Sequence, residues 1–245
     1  MKIIGIIPAR YASTRFPGKP LIDIAGKSMI QRVYEQAKKS KKLSDVVVAT
    51  DDVRIEQHVN AFGGKVVMTG EHHQSGTDRC FEATNKISAK ADVIVNIQGD
   101  EPFIQPAQID EVASCFDVPG VQLATLVKKI KTKEELFNVH LPKVLINSKK
   151  EAIYFSRQTI PYIRGQKEED WLGQHTFYKH IGIYAYQTEI LGRITSLVPS
   201  SLERAEGLEQ LRWIENGYKI KVELTDYESV AIDVPDDLQK LSKFL

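Results

Sequence analysis

The chain has 245 residues, 42% hydrophobic and 27% charged, with 33 basic and 32 acidic side chains and a net charge of +1. That is enough apolar material for one sizeable domain, and the even charge balance leaves no global footprint for a nucleic-acid or membrane partner. Cys80 and Cys115 form no CxxC pair, no apolar run could span a bilayer, and MKIIGIIPAR is too short in apolar residues for a signal-peptide core. A cytoplasmic protein with two buried thiols is expected.

In chain order, IIGIIPA (3–9) reads as a buried strand, SMIQRVYEQAKKS (28–40) as an amphipathic helix and DVVVAT (45–50) as the next strand. A helix near 53–62 closes at Gly63-Gly64, and KVVM (65–68) is a third strand. Thr77 or Asp78 caps a helix running to about Ile87, and DVIVNIQ (92–98) follows as a central strand. Strands alternating with helices imply a parallel, doubly wound sheet. Beyond about residue 120, VQLATLVKKI, KVLINS, EAIYFSR and HIGIYAY crowd together as strands, which suggests an antiparallel extension. A helix at about 203–216, the strand KIKVEL and a terminal helix after Pro235 complete a single α/β domain with no internal repeat.

The first loop carries the chemistry. Residues 1–42 hold ten Lys/Arg against only Asp23 and Glu35, and Arg10, Arg15 and Lys19 fall on the Gly/Pro-punctuated stretch straight after the first strand. In open α/β sheets ligands sit at the carboxyl ends of strands, and that first loop commonly cradles phosphates. No two glycines lie two residues apart, so the GxGxxG dinucleotide fingerprint is absent, which disfavours a dehydrogenase. AGKS (25–28) imitates the end of a P-loop, but the first glycine of that motif falls on Leu21. Three cations match a triphosphate better than a single carboxylate.

IPARYASTRFPGKPL resembles the nucleotide-binding loop of the 3-deoxy-manno-octulosonate (Kdo) cytidylyltransferases, and VATDD, GGKVVMT, HQSGTDR, VNIQGDEP, YFSRQTIP, HIGIYAY, LEQLR and IDVPDDL resemble blocks of that family in family order. The resemblance implies a nucleotide-diphospho-sugar transferase fold and the reaction CTP + Kdo → CMP-Kdo + pyrophosphate, serving lipopolysaccharide biosynthesis. It also implies a homodimer, with residues 1–120 mainly binding CTP and 121–245 mainly binding sugar and the partner copy. Arg10, Arg15 and Lys19 are then expected on the triphosphate, with Pro8 and Ala9 contacting cytosine through their backbone.

VNIQGDEP delivers Asp100 to the sheet edge after a close-packing Gly99, and IDVPDDL puts Asp233 at the end of another apolar run. Mg²⁺ prefers one or two carboxylates plus phosphates and water, which this pair could supply, although Asp233 also suits a helix cap and Asp100 a turn. The resemblance implies that both bind magnesium. Asp236 and Asp237 fit the first turn of the terminal helix. Ser75, Gly76 and Arg79 of HHQSGTDR suit a pyrimidine edge or simple turn-and-cap chemistry; the resemblance implies the former and places Gln98 near the nucleoside.

On the sugar side the resemblance assigns Arg157 to the Kdo carboxylate. The strand period of two puts His180, Gly182, Tyr184 and Tyr186 of HIGIYAY on one face and Ile181, Ile183 and Ala185 on the other; His180 by itself suits a satisfied structural histidine, and the resemblance implies that His180 and Tyr184 contact the sugar. Glu209 and Gln210 of LEQLR resemble further sugar contacts. FNVHLPKVL (137–145) and IPYIRGQKEEDW depart from the family pattern near the sugar, so 8-amino-Kdo or a sialic acid stays open as the substrate, as does a non-catalytic nucleotide-binding module.

Overall fold

β1 (Ile3–Ala9) is buried along its length except at Pro8. A strand apolar on both faces must be covered on both, and its side chains divide with a period of two. Ile3, Ile7 and Ala9 enter one core cluster, Ile4 and Ile6 the other. The computed structural model describes residues 1–12, 16–228 and 230–238.

After β1 come a 3₁₀ turn at Lys19–Leu21, the short hairpin β2 (Asp23–Ile24) and β3 (Lys27–Ser28), and α1 (Met29–Ala37). β4 (Asp45–Thr50), α2 (Val53–Ala61), β5 (Val66–Met68), α3 (Gly76–Lys86) and β6 (Val93–Asn96) continue the alternation. The second half contains α4 (Pro106–Ser114), β7 (Leu123–Lys129), α5 (Lys133–Phe137), β8 (Lys143–Ile146) and β9 (Ala152–Ser156). It ends with α6 (Trp171–Gln174), β10 (Tyr178–Gln187), α7 (Thr188–Thr195), α8 (Ser201–Glu206), α9 (Gln210–Glu215) and β11 (Ile220–Leu224).

Among the described residues the main sheet runs β11-β7-β10-β6-β1-β4-β5, with β8 and β9 attached through β10. β1 is parallel to β4 and β6, and β4 to β5. β10 runs antiparallel to β6 and β7, and β8 antiparallel to β9, which is the expected mostly parallel sheet with an antiparallel extension. α1, α2 and α4 cover one face through Ile30, Val33, Ile55 and Ile109, while α3, α7 and α9 cover the other through Ala83, Leu191 and Trp213. Both cysteines are free and buried, as expected, and burial pushes the Cys115 thiol up to about 12.

Two expectations need correction, and α4 was not anticipated. The single helix at 203–216 is two helices: Gly207, with φ +62°, ends α8 in the left-handed region and its N–H donates to the Glu203 carbonyl at 2.7 Å. The cap of α3 is Ser75, not Thr77 or Asp78; its Oγ accepts from Asp78 N at 3.1 Å while Asp78 Oδ2 accepts from Ser75 N at 3.2 Å. α4 has no counterpart in the sequence reading; Pro106 at its first turn and the buried Ile109 and Val112 were the available signals. The expected helix after Pro235 is described only as far as residue 238.

Pairing of β10 with β7 shifts by two residues between Ile181 and Tyr184. A two-residue slip preserves the alternation, so Ile181, Ile183 and Ala185 stay in one core cluster and Tyr184 and Tyr186 in the other. On the same strand, buried Lys179 donates to Glu135 Oε1 at 2.5 Å and to Glu228 Oε1 at 2.6 Å, and Glu228 Oε2 also takes Lys128 at 2.7 Å. This knot pins the segment after β11 against the sheet. Burial raises the pKa of Glu135 and Glu228, but their ammonium contacts outweigh it and hold both below the ordinary 4.5.

Lys179→Met should therefore lower the unfolding free energy by about 1–3 kcal/mol, less than the roughly 3–5 of a wholly buried pair because the carboxylates remain partly solvated. Lowered carboxylate pKa values contribute stability that is complete above 4.5 and lost as pH falls through the folded-state values. Urea titrations of both proteins should show the gap shrinking below about pH 4.5; a gap constant down to pH 3 would contradict the role given to these ion pairs.

Candidate active site

The carboxyl ends of β1 and β6 and the start of α3 enclose a cleft of about 220 Å³. β1 contributes Pro8 and Ala9, and Arg10 follows it; the turn after β6 contributes Gln98, Gly99 and Asp100; Ser75, Gly76 and Arg79 come from α3 and its cap. Close approach of these segments depends on two glycines. A Cβ on Gly99 would sit 2.7 Å from the Pro8 carbonyl oxygen, and one on Gly76 would sit 3.2 Å from Pro8 Cγ. Gly18, at φ +71°, donates its N–H to the Tyr11 carbonyl at 3.0 Å, which closes the loop and turns Lys19 into the cleft. Ser13, Thr14 and Arg15 lie outside the described residues, and with them the expectation for Arg15.

Lys19 Nζ lies 2.7 Å from Asp100 Oδ2 and 3.7 Å from Asp233 Oδ1, so two carboxylates 133 positions apart converge on one cation. The Ile232 N–H donates to the Asp100 carbonyl at 2.9 Å, and Ile232 is buried beside Ile24 and Met29. Asp237 Oδ2 accepts the N–H groups of Asp233 and Val234 at 2.8 and 3.0 Å. Sequence assigned Asp237 only to a helical turn; here it also fixes the backbone of Asp233. Paired carboxylates that already share a cation are a donor set suited to a hard divalent ion.

Arg79 reaches the cleft, yet two of its donors are committed elsewhere: Nη2 to Asp51 Oδ2 and Nη1 to Thr69 Oγ1, both at 2.6 Å. Only 3% of the residue is exposed, so this pair chiefly braces the base of the cleft. His73 and Gln74 also line it. Their position two and one residues before the Ser75 cap was the sequence signal, but cap chemistry alone gave them no role.

The residues expected on the sugar gather beside this cleft and are not among its lining. Glu209 Oε2 accepts from Thr77 Oγ1 at 2.8 Å, linking α9 to the first turn of α3, and burial raises its pKa. The Tyr184 ring lies 5.1 Å from those of both His180 and Trp213. The Tyr184 hydroxyl and Gln210 Nε2 are buried without a hydrogen-bond partner among the described residues. Buried polar atoms of that kind need a water or a ligand hydroxyl. His180 Nε2 pairs with Thr125 Oγ1 at 2.9 Å, and burial pushes the imidazole down to about 3, leaving it neutral at ordinary pH. Arg157 donates through Nε to the Glu206 carbonyl at 2.7 Å and through Nη1 and Nη2 to the Val139 and Gly207 carbonyls at 3.3 Å. Its guanidinium thus faces carbonyl oxygens, with no ion pair among the described residues.

A family model described as cytidylyltransferase matches residues 4–220. Relatives named 3-deoxy-manno-octulosonate cytidylyltransferase in Parabacteroides distasonis and Bacteroides thetaiotaomicron are 61% and 60% identical, each match covering 100% of this chain and 98% of the relative. A solved CMP:2-keto-3-deoxy-manno-octonic acid synthetase complexed with CTP superposes with a TM-score of 0.92 at 41% identity, covering 100% of this chain and 98% of that one. A 4-diphosphocytidyl-2C-methyl-D-erythritol synthase from Anaerococcus prevotii, at 11% identity and a TM-score of 0.63 over 99% of this chain and 98% of its own, shares the fold alone. Identity of this extent over the full chain places it in the cytidylyltransferase family, among the 3-deoxy-manno-octulosonate cytidylyltransferases.

Proposed function

We propose that the protein transfers the cytidylyl group of CTP to the anomeric hydroxyl of 3-deoxy-manno-octulosonate, giving CMP-Kdo and pyrophosphate. The observation that carries this reading is the cleft that brings Arg10, Lys19, Asp100 and Asp233 together at the strand ends. The sugar oxygen forms a bond to the α-phosphorus, the bond from that phosphorus to the bridging oxygen breaks in line, and the hydroxyl proton leaves to solvent. Arg10 and Lys19, with Arg15, hold the triphosphate and offset charge on the leaving pyrophosphate; catalysis rests on positioning and electrostatics.

Asp100 and Asp233 would hold Mg²⁺, and the fit rests on their convergence on a single cation. Bound there, the ion supplies Lewis-acid neutralisation of phosphate charge. Pro8, Ala9, Ser75 and Gln98 bound the cytosine end, and Gly76 keeps the wall against Pro8 close. Tyr184, Gln210, Glu209 and neutral His180 offer hydroxyl-binding groups, and Arg157 would exchange carbonyl partners for the sugar carboxylate. A non-catalytic module has no need of both metal carboxylates, whereas both are present and paired.

The same reading includes a cytoplasmic homodimer. No helix among the described residues is long and apolar enough to cross a membrane. The second half exposes Tyr162, Ile153, Val139 and Phe137, apolar surface that a second copy would cover. Light scattering at micromolar protein should return twice the chain mass, and a monomer would refute the dimer.

A pyrophosphate-release assay crossing the four nucleotides with Kdo, 8-amino-Kdo and N-acetylneuraminate tests the reaction itself, with CTP and Kdo expected to be the preferred pair. Arg157→Ala should raise KM for the sugar by about 30- to 1000-fold, the loss of a bidentate charge-assisted contact worth roughly 2–4 kcal/mol, with CTP binding unchanged by calorimetry. Asp100→Asn should instead collapse kcat while sugar still binds, because its effect falls on charge that develops in the transition state. An Arg157→Ala variant that loses CTP affinity as badly as sugar affinity would reverse these assignments.

Chelation with EDTA should abolish turnover and added Mg²⁺ restore it. Asp233→Asn should raise the Mg²⁺ needed for half-maximal rate by at least about tenfold. Activity unaffected by EDTA would exclude the metal role.

A further inference from the structure

We propose that His72, His73 and Glu82 form a second cation site beside the cleft, for a borderline transition metal of the Zn²⁺ class. One ligand atom from each residue lies within 4.8 Å of the other two. Four-coordinate Zn²⁺ with bonds of about 2.0–2.1 Å spaces its donors roughly 3.3 Å apart, so side-chain adjustments of about an ångström would close the set. Two imidazoles and one carboxylate suit such an ion, and the fourth position is left to water. The oxygen-only pair Asp100 and Asp233 suits a hard cation instead, so the two sites differ in kind.

The surroundings already orient these donors. Glu82 Oε2 contacts His73 Nε2, while Oε1 takes Lys86 Nζ at 2.6 Å and the Gly70 N–H reaches both oxygens at 3.1 and 3.0 Å. The Lys86 contact first, then the Gly70 N–H, hold the Glu82 carboxyl down at about 2, so it is anionic at any working pH. Such outer partners fix ligand geometry in metal sites. The two imidazole rings lie 4.4 Å apart, and a Cβ on Gly70 would come within 2.5 Å of the His72 ring; the glycine at 70 is what lets that ring lie there. His72 is exposed, giving an ion its entry, and His73 lines the nucleotide cleft, so an ion held here fixes part of the cleft wall. On binding, a metal would replace the direct His73–Glu82 contact.

The test uses tag-free full-length protein with Mg²⁺ in excess, so that hard-cation sites are filled, and titrates Zn²⁺ against a chromophoric chelator. Co²⁺ serves as a spectroscopic probe of nitrogen and oxygen ligands. The wild type should take up one Zn²⁺ per chain. His72→Ala, which removes an exposed ring and leaves thermal unfolding unchanged, should weaken binding at least tenfold and abolish the Co²⁺ ligand-field bands; Glu82→Gln should weaken it likewise. His140→Ala, at an exposed histidine elsewhere, should bind as the wild type does. Absence of stoichiometric Zn²⁺ uptake, or a His72→Ala variant that binds as tightly as the wild type, would overturn the proposal.

Discussion

Two ionised carboxylates brought together at a strand edge repel unless a cation lies between them, and here Lys19 contacts both. Its contacts with Asp100 and Asp233 join the first loop, the turn after β6 and the segment beyond β11. At 332/(εr), like charges a few ångströms apart repel by several kcal/mol at the intermediate dielectric of a protein cleft. The backbone bond from Ile232 to Asp100 and the Asp237 carboxylate hold the two aspartates in place against that repulsion. The same repulsion draws in a positive ion or a positive side chain. A site assembled this way is electrostatically prepared for phosphate chemistry before any substrate arrives.

β10 divides the molecule. Its apolar residues Ile181, Ile183 and Ala185 complete the core under α1 and α4, while Tyr184 and Tyr186 pack on the other face against Trp213. Since β10 pairs with β6 on one side and β7 on the other, it carries the parallel half directly into the antiparallel half. The residues proposed for the sugar therefore lie beside the nucleotide cleft because of sheet order, and the Thr77–Glu209 hydrogen bond joins the two sets.

Two buried lysines of the second half show how differently neighbouring strands treat charge. Lys179 has two carboxylates, and they raise its pKa despite burial. Lys143 has none among the described residues: it is fully buried, donates to the Asn138 and Leu141 carbonyls at 2.8 Å, and burial, with the nearby Arg157 charge, lowers its pKa. Those carbonyls belong to FNVHLPKVL, the stretch that departs from the family pattern, and the Val139 carbonyl takes Arg157 as well. The departure thus surrounds two cations with no ion-pair partner among the described residues, Lys143 and Arg157, and the second of them is the residue proposed for an acidic sugar.

Local pattern determined much of this protein. β1 and β4 follow from apolar runs bounded by turn residues, and the pattern of cations after a buried strand marked the first loop, whose Lys19 the structure turns into the cleft. The resemblance alone proposed a metal role for Asp100 and Asp233, which residue chemistry left balanced between ligand, cap and turn. Tertiary structure decided what depends on partners distant in sequence. Whether Arg79 reads a base or braces a wall turned on Asp51 and Thr69, and the role of Asp237 turned on the backbone it meets. The break at Gly207 turned on a left-handed backbone, and the grouping of His72, His73 and Glu82 on how the loop before α3 folds onto that helix. Periodicity records which face of an element is apolar; it carries no record of which distant polar group a buried donor will meet, because that is fixed only when the chain closes on itself.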